Sequence, residues 1–339
     1  MLETAVGPVP LVATEMSLRD WLGTTLVRSG FGRMGYTVEP GLYGVGAPGP
    51  DSPVLVTANY KLSFDHLRGK LAGIDAWLVV LETFGINVWC AAGKGSFGTT
   101  ELVLRVKASR LHELVGHRTI VVPQLGAPGV AAHHVKKRCG FTVRYGPVMA
   151  RDLPLFLANN MVATPAMRRK TFPFRERLAL IPVEMTMAGK WLLFAMAAVL
   201  VISGLAGTGD FQQNSLEVGR WPLVYLLAGV FGGGVLTPLL LPYLPGRAFA
   251  VKGGVAGLAV AAMICLSHFL LAGQINAGAD LAWGVICTAV SSYLGMNFTG
   301  ASTYTSLSGV KKEMRLAVPA QVCSIVAGSG WWFFLLFRG

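Results

Sequence analysis

The residue with the clearest chemical potential is Cys90, within the segment Asn-Val-Trp-Cys-Ala-Ala-Gly-Lys-Gly at 87–95. Asn87 is a favourable helix N-cap, because its side chain can accept a hydrogen bond from a backbone N–H of the first turn. Cys90 would then lie at the start of a short helix, where the helix dipole favours thiolate over thiol. Lys94 lies four residues later, on the same helix face. The turn between them is nearly bare, since its residues are Ala91, Ala92 and Gly93.

The residues of this segment also bear on three other possible roles. A buried core position is the commonest fate of a free cysteine, and spacing alone leaves it open for Cys90. A phosphate-binding loop would need glycine at position 88 and Ser or Thr directly after Lys94, where Val88 and Gly95 stand. A structural zinc site lacks the usual paired ligand spacing. Its candidate ligands would be Cys90, His133, His134 and Cys139.

Apolar runs alternate with helical segments through the first half of the chain. Strands are predicted at 53–58, 76–81, 119–122 and 141–145, and helices at 63–71, 99–115, 129–139 and 152–161. The first fifty residues are poorly periodic and end in a Gly/Pro-rich stretch, 41–53, which we interpret as a loop. The alternation predicts a Rossmann-like α/β domain with a mainly parallel sheet.

Three candidate ligand-contacting segments directly follow predicted strands. They are 57–59 with Thr57 and Asn59, 87–95, and 123–129 with Gly126 and Gly129. In parallel sheets, ligands bind at the carboxyl ends of the strands. We therefore expect one ligand to be able to contact all three segments.

The second half of the chain has a different composition. Of the 339 residues, 53% are hydrophobic and 14% are charged, whereas about a quarter are charged in soluble proteins. Charge-free apolar runs occupy 191–209, 221–246, 253–279, 281–310 and 316–337. Because about 20 apolar residues span a bilayer, these runs predict an all-α membrane domain of five transmembrane helices.

The predicted organisation is a soluble domain at 1–163, a basic juxtamembrane linker at 164–190 and a membrane domain at 191–339. The net charge of +12 fits a basic belt beside the bilayer better than a nucleic-acid surface. The positive-inside rule places the soluble domain in the cytoplasm and the C-terminus outside, across the cytoplasmic (inner) membrane. The five cysteines form no C-x-x-C pair, which suggests reduced thiols.

Two features inside the membrane runs predict helix packing. Gly229/Gly233 and Gly253/Gly257 are pairs of small residues that let helices approach closely. His268 is polar enough to raise a functional question, and a hydrogen bond between helices is the favoured interpretation.

The eight residues at 87–94 resemble the cap-helix signature of the mercury-methylating corrinoid protein family. The flanks Val-Thr-Ala-Asn-Tyr-Lys-Leu-Ser at 56–63 and Val-Pro-Gln-Leu-Gly-Ala-Pro-Gly at 122–129 resemble the family too, as does the layout of a corrinoid domain before five membrane helices. The soluble part is similar, more distantly, to the corrinoid domain of the corrinoid iron–sulfur protein of acetyl-CoA metabolism.

The resemblance implies a cobalamin-type corrinoid (methylcobalamin) with Cys90 as lower axial ligand to cobalt. Asn87 would cap and orient the turn. The other implied cofactor contacts are Val88, Trp89, Ala91, Ala92, Gly93 and Lys94, with Thr57, Asn59, Gly126 and Gly129. A histidine ligand from an Asp-x-His-x-x-Gly motif is not supplied, because Phe64 stands where the aspartate before His66 would be.

The implied reaction is methyl transfer from the corrinoid to Hg(II), forming methylmercury. The implied partners are a ferredoxin-like electron donor with two 4Fe–4S clusters and a methyl donor from a folate-linked pathway. Two alternatives stay open. One is a corrinoid methyl carrier for another acceptor in one-carbon metabolism. The other is a membrane transporter or scaffold with a regulatory soluble domain.

Overall fold

The computed structural model describes residues 1–206, 209–272, 276–299 and 307–338. The chain forms two compact units, Met1–Thr171 and Phe172–Gly339.

The first unit is an α/β domain. Its strands are β1 (Leu2–Thr4), β2 (Gly7–Val9), β3 (Gly41–Val45), β4 (Val54–Ala58), β5 (Ala76–Leu81), β6 (Thr119–Val122) and β7 (Thr142–Tyr145). Its α-helices are α1 (Leu18–Arg28), α2 (Lys61–Arg68), α3 (Val88–Lys94), α4 (Thr99–Ala108), α5 (Leu111–Leu114), α6 (Ala132–Cys139) and α7 (Leu153–Ala158). β1 and β2 form a separate antiparallel ribbon.

The other five strands form one sheet in the order β3-β5-β4-β6-β7. β5, β4, β6 and β7 run parallel to one another, and only β3 is antiparallel to its neighbour β5. The prediction of a mainly parallel sheet is therefore confirmed. Both faces are covered, since alternate strand residues enter two apolar clusters. Val56 and Val79 pack with α3, α4 and α6, whereas Leu55 packs on the opposite face with α2 and α7.

Two predictions of secondary structure were wrong. Residues 41–45, interpreted as loop, form strand β3. A Cβ at Gly44 would lie 2.8 Å from Leu11 Cδ2, so the glycine lets the Leu11 side chain lie against this edge strand. The single helix predicted at 99–115 is interrupted at Arg110, whose φ of 47° separates α4 from α5.

A cluster of four charged side chains joins α1 to α2. Lys61 Nζ donates to Asp20 Oδ1 (2.5 Å) and to Asp65 Oδ2 (2.6 Å). Arg68 donates to Asp20 Oδ2 (2.9 Å) and to Asp65 Oδ1 (2.7 Å). Burial alone would raise the pKa of the Asp20 carboxyl, but hydrogen bonds from Lys61, Ser17 and Arg68 hold this pKa well below its usual range.

The attachment of α1 is therefore expected to weaken in acid. Because the pKa of Asp20 is lower in the folded chain, its contribution is complete above the unfolded value, near pH 4, and is lost progressively as pH falls from there through the lowered value of the folded chain. At pH 7, Asp20→Asn should speed amide exchange across 18–28 by roughly tenfold or more, as expected for hydrogen bonds to a charged group. At pH 3 the difference between the variant and the native chain should be smaller than at pH 7 but still present, because the Asp20 carboxyl of the folded chain stays ionised there. The exposed carboxylate variant Glu39→Gln should match the native chain at both pH values.

The second unit is helical. Its α-helices are α8 (Phe174–Leu178), α9 (Ile181–Leu205), α10 (Phe211–Phe231), α11 (Thr237–Leu240), α12 (Phe249–Ala272), α13 (Ala277–Asn297) and α14 (Leu307–Phe337). A π-helical turn, Gly232–Leu236, joins α10 to α11.

Four stretches among the described residues are long and apolar enough to cross a membrane: Phe174–Leu205, Phe211–Leu240, Phe249–Leu271 and Gly309–Phe337. They support four of the five predicted spans. The fifth, at 281–310, is represented by α13, which carries polar residues and is the most deeply buried of these helices. Parts of the predicted spans, at 207–208, 273–275 and 300–306, lie outside the described residues. A count of five spans stays a prediction.

The predicted close packing at the glycine pairs is confirmed, and the partner of both pairs is α13. A Cβ at Gly229 would lie 2.9 Å from the carbonyl oxygen of Cys287, and one at Gly233 would lie 2.5 Å from that of Ser291. A Cβ at Gly253 would also lie 2.5 Å from the carbonyl oxygen of Ser291. These glycines allow α10 and α12 to approach α13 backbone to backbone.

The predicted hydrogen bond of His268 is also confirmed. Its Nδ1 lies 2.9 Å from Asp280 Oδ1, which joins α12 to α13. Tyr225 on α10 donates its hydroxyl to the same oxygen at 3.2 Å, and the Trp221 ring stacks on the imidazole at 4.1 Å between centroids. A buried polar group is tolerated when it is hydrogen-bonded, so this cluster holds three helices together.

Candidate functional site

The carboxyl ends of β4, β5 and β6 meet at one edge of the sheet, because these strands are parallel neighbours. The segment after β5 leads into α3, the segment after β4 contains Asn59, and the segment after β6 forms the turn 123–129. The structure thus brings together the three segments that the sequence predicts to share one ligand.

Helix α3 presents Cys90 as expected from its N-cap. Asn87 has extended backbone angles (φ −63°, ψ 159°), and its Oδ1 accepts a hydrogen bond from the backbone N of Cys90 at 2.9 Å. Ala91 and Ala92 face the apolar core, whereas Gly93 and Lys94 are exposed. Cys90 itself is half-buried, so it is not a fully enclosed core cysteine.

Removing this cap should loosen α3 without unfolding the domain. Asn87→Ala should cost about 1 kcal/mol of local stability, because an unsatisfied N–H is left in the first turn. Amide exchange of 88–94 should speed up correspondingly, while exchange in β4 and β5 stays unchanged. Asn87→Asp keeps an oxygen acceptor and should exchange like the native chain. Equal exchange in the alanine and aspartate variants would show that the cap does not hold α3.

Asn59 organises the loop that leads into α3. Its Nδ2 donates to Glu82 Oε1 at 2.7 Å, and its Oδ1 accepts from the backbone N of Thr83 at 3.1 Å and of Gly85 at 3.3 Å. The residue is 4% exposed. Its amide is therefore used by the protein itself, and its role in the site is to position the loop.

Glu82 and Glu101 fix the same loop from a second direction. Glu82 Oε1 accepts a hydrogen bond from the backbone N of Phe84 at 2.8 Å. Glu101 Oε1, on α4, accepts from the backbone N of Glu82 at 2.9 Å. Phe84 has a φ of 56° and a ring that is 70% exposed. A bulky residue in this region of backbone angles is uncommon, and such residues concentrate at functional sites.

The turn after β6 packs directly on α3. A Cβ at Gly129 would lie 2.0 Å from the carbonyl oxygen of Phe97 and 3.1 Å from the Cα of Ala92. A Cβ at Gly126 would lie 2.5 Å from the Phe97 ring. Thr99 ties the turn to α4, because its Oγ1 accepts from the backbone N of Ala131 at 2.8 Å. The two glycines therefore permit close backbone packing behind Cys90.

The remaining predicted contacts lie at different depths. Thr57 is 2% exposed within β4, so it lies beneath the edge of the sheet. Val88 and Trp89 are half-buried at the start of α3. His133 and His134 are exposed on α6, as expected for solvated helix residues.

Sequence reasoning missed several residues that build the site. Glu82, Thr83 and Glu101 position the loop, and Ser96 has a buried hydroxyl that finds no hydrogen-bond partner within the described residues. Glu82 and Thr83 directly follow β5, so the strand-end rule could have found them. Among the described residues, no group of three His, Cys, Asp or Glu side chains is arranged to hold a metal ion.

The comparisons with known proteins concern the domain that carries this site. Residues 31–157 match the family model described as the CO dehydrogenase/acetyl-CoA synthase delta subunit. This range contains α3, the Asn59 loop and the Gly126–Gly129 turn. It excludes α1 and the whole second unit.

Similar proteins include gamma subunits of the acetyl-CoA decarbonylase/synthase complex. The subunit from Archaeoglobus fulgidus is 33% identical over 125 residues, which is 36% of this chain and 26% of that protein. The subunit from Methanopyrus kandleri is 35% identical over 122 residues, covering 35% and 26%. The subunit from Methanosarcina acetivorans is 30% identical over 128 residues, covering 37% and 27%.

The chain spans about a quarter of the length of these curated relatives. The similarity therefore concerns one domain and not the whole of either protein. Residues 31–157, with Cys90 near their centre, form a domain related to those of the CO dehydrogenase/acetyl-CoA synthase delta family and of the acetyl-CoA decarbonylase/synthase gamma subunits.

Proposed function

We propose that the chain is a membrane-attached corrinoid protein that carries a methyl group in one-carbon metabolism. The similarity of residues 31–157 to subunits of acetyl-CoA decarbonylase/synthase supports this class of function. It agrees with the more distant resemblance of the soluble part to the corrinoid domain of the corrinoid iron–sulfur protein. Four stretches of membrane-spanning length support membrane attachment.

The observation that carries the proposal is the half-buried Cys90 on the capped helix α3. Cys90 would hold the cobalt from below, and a soft thiolate is a suitable ligand for such a metal. Asn87 fixes the turn that bears it, while Gly93 leaves the helix surface bare. The Ser96 hydroxyl, two residues beyond the helix, is buried and finds no hydrogen-bond partner within the part of the chain that the structure describes, so a small local movement would offer it to a polar group of the cofactor.

When bound, a methylcobalamin-type corrinoid supplies the cobalt-bound methyl group that is transferred. The chain's own residues bind and orient it. The Gly126–Gly129 turn packs closely against α3 and would thereby support the helix that bears Cys90. Preorganised support of this kind is how proteins tune cofactors whose chemistry they do not perform themselves.

Hg(II) is the acceptor that we propose for the methyl group. The support is the complete match of 87–94 to the cap-helix signature of the mercury-methylating family. The same resemblance implies a ferredoxin-like electron donor with two 4Fe–4S clusters and a folate-linked methyl donor. It also implies attachment to the cytoplasmic membrane, with the first unit in the cytoplasm. A methyl carrier for another acceptor is the second candidate, and the relatives from acetyl-CoA metabolism favour it.

The lower-ligand role is tested by the electron paramagnetic resonance spectrum of the full chain reconstituted with cob(II)alamin. Sulfur has no abundant nuclear spin, so the native protein should show no nitrogen splitting of its cobalt lines. Cys90→His should introduce a three-line splitting from one nitrogen. A three-line pattern in the native protein, or a colourless product after reconstitution, would contradict the proposal. Cys139→His, also at a half-buried cysteine, should behave like the native chain.

The acceptor is tested separately. Membranes that contain the chain, its reduced partner and a labelled methyl-corrinoid are given either Hg(II) or a one-carbon acceptor such as a nickel thiolate complex. Methylmercury formation that depends on Cys90 supports the mercury acceptor. Transfer only to the other acceptor would support the methyl-carrier candidate. Normal corrinoid binding without transfer to either would favour the regulatory alternative.

A further inference from the structure

Helix α1 is amphipathic, but its large apolar side chains lie on the side that faces away from the domain. Its inward side carries Thr24 and Val27, which are 8% and 4% exposed, together with the ion-paired Asp20. The large apolar side chains point outward. The exposed fractions are 76% for Leu18, 60% for Trp21, 58% for Leu22 and 56% for Leu26. We call these four residues the α1 apolar face.

The apolar face continues beyond the end of the helix. Phe31 is 60% exposed and Met34 is 70% exposed. Soluble proteins rarely leave a contiguous group of large apolar side chains in water, and such groups mark interaction surfaces. Leu155, on α7, is also 64% exposed but does not belong to this face.

The charges around the α1 apolar face are basic. At about 100° per residue, Arg19 falls beside Leu26 and Arg28 falls beside Trp21, so one arginine borders each side of the face. Arg33 follows the helix in sequence and interacts with the Tyr60 hydroxyl, and all three arginines are exposed. The nearest carboxylate on the helix, Asp20, is held on the inward side by Lys61 and Arg68.

A helix with tryptophan and leucine on one face and arginines on both borders is suited to the surface of an anionic bilayer. The apolar face enters the headgroup boundary, while the arginine side chains reach up to the lipid phosphates.

The chain itself keeps such a surface within reach. The first unit ends at Thr171, and a stretch of membrane-spanning length begins at Phe174, so two residues separate them along the chain. The bilayer is therefore present at high effective concentration whenever the second unit is inserted.

We propose that the α1 apolar face and its bordering arginines dock the first unit onto the anionic surface of the bilayer that holds the second unit. The α1 apolar face lies outside the residues that match the delta-subunit family model, which begin at residue 31. The inference does not depend on the corrinoid or on the methyl acceptor.

The test uses the full chain in nanodiscs of phosphatidylglycerol, with phosphatidylcholine nanodiscs as the comparison. The chain contains eight tryptophans, so the signal of Trp21 is isolated as the difference between the native chain and Trp21→Phe. In phosphatidylglycerol, lipids brominated near the glycerol backbone should quench this difference signal. Amide exchange across 18–34 should be about tenfold slower than in phosphatidylcholine, as two interfacial arginines predict.

Two variants separate membrane docking from other causes. Arg19→Gln/Arg28→Gln should remove the difference between the two lipids while leaving exchange in β4 and β5 unchanged. Leu155→Glu should leave both signals as in the native chain, whereas Leu22→Glu should abolish quenching. An unquenched Trp21 in phosphatidylglycerol would overturn the proposal. Protection that is equal in both lipids and rises with protein concentration would also overturn it, and would identify a second copy as the occupant.

Discussion

Replacing Cys90 by alanine is expected to lower methyl transfer by at least about 100-fold in membranes that contain the full chain and its reduced partner. Loss of a residue that merely supports a metal ligand costs 10–100-fold, and loss of the ligand itself should reach at least the upper end. The measurement is labelled methyl transferred per bound corrinoid, so that reduced cofactor binding is separated from reduced reactivity.

The control for this variant is Cys139→Ala. Cys139 is also a half-buried cysteine of the first unit, and its Sγ donates to the carbonyl oxygen of Val135 at the end of α6. It should retain transfer within about twofold, since surface-proximal substitutions away from special features have small effects. Undiminished transfer in Cys90→Ala would remove Cys90 from the metal.

The second large effect is expected at Gly129. In Gly129→Ala the new Cβ would lie 2.0 Å from the carbonyl oxygen of Phe97, an atom of the backbone that cannot rotate away. Inserting one carbon into packing this tight costs about 1–3 kcal/mol, and the turn must move away from α3. We therefore expect a lower unfolding midpoint for the first unit and loss of corrinoid retention, measured on the full chain by thermal denaturation and by absorbance.

Gly116→Ala is the matched control for this loop glycine. A Cβ at Gly116 would have its nearest neighbours at 4.0 Å, which is ordinary contact. The free energy of unfolding of Gly116→Ala should stay within about 0.5 kcal/mol of the native value. If Gly129→Ala binds corrinoid as the native chain does, the turn does not support the cofactor site.

The sheet was predictable where strands are continuous apolar runs. β5 and β6 occupy the predicted residues, because both faces of these strands are covered and every position except Thr119 holds an apolar residue. The N-terminal elements were not predictable in the same way. β3 has two glycines in five residues, and α1 directs its apolar side away from the core. Neither pattern signals the element that it forms.

In the candidate site, too, local features could be predicted and long-range contacts could not. The cap of Asn87 on Cys90 could be predicted because it depends on four consecutive residues and one local hydrogen bond. The role of Asn59 could not, because its partners Glu82 and Thr83 are more than twenty residues away. A polar residue after a strand can serve a ligand or a neighbouring loop, and only the tertiary contacts distinguish these uses.

The pairing of His268 with Asp280 has a consequence for biosynthesis. An unpaired aspartate opposes entry of a helix into the bilayer, most strongly at the helix centre and less in the first turn, where Asp280 lies. α13 carries that aspartate, whereas the preceding α12 is long and apolar enough to cross a membrane by itself. Because the partner histidine lies on α12, 2.9 Å from Asp280 Oδ1, the two helices can enter the bilayer together as a hairpin with that oxygen already hydrogen-bonded. Truncation of the nascent chain after α12 should therefore leave a stably inserted helix, while α13 detached from α12 should insert less efficiently than α13 joined to it.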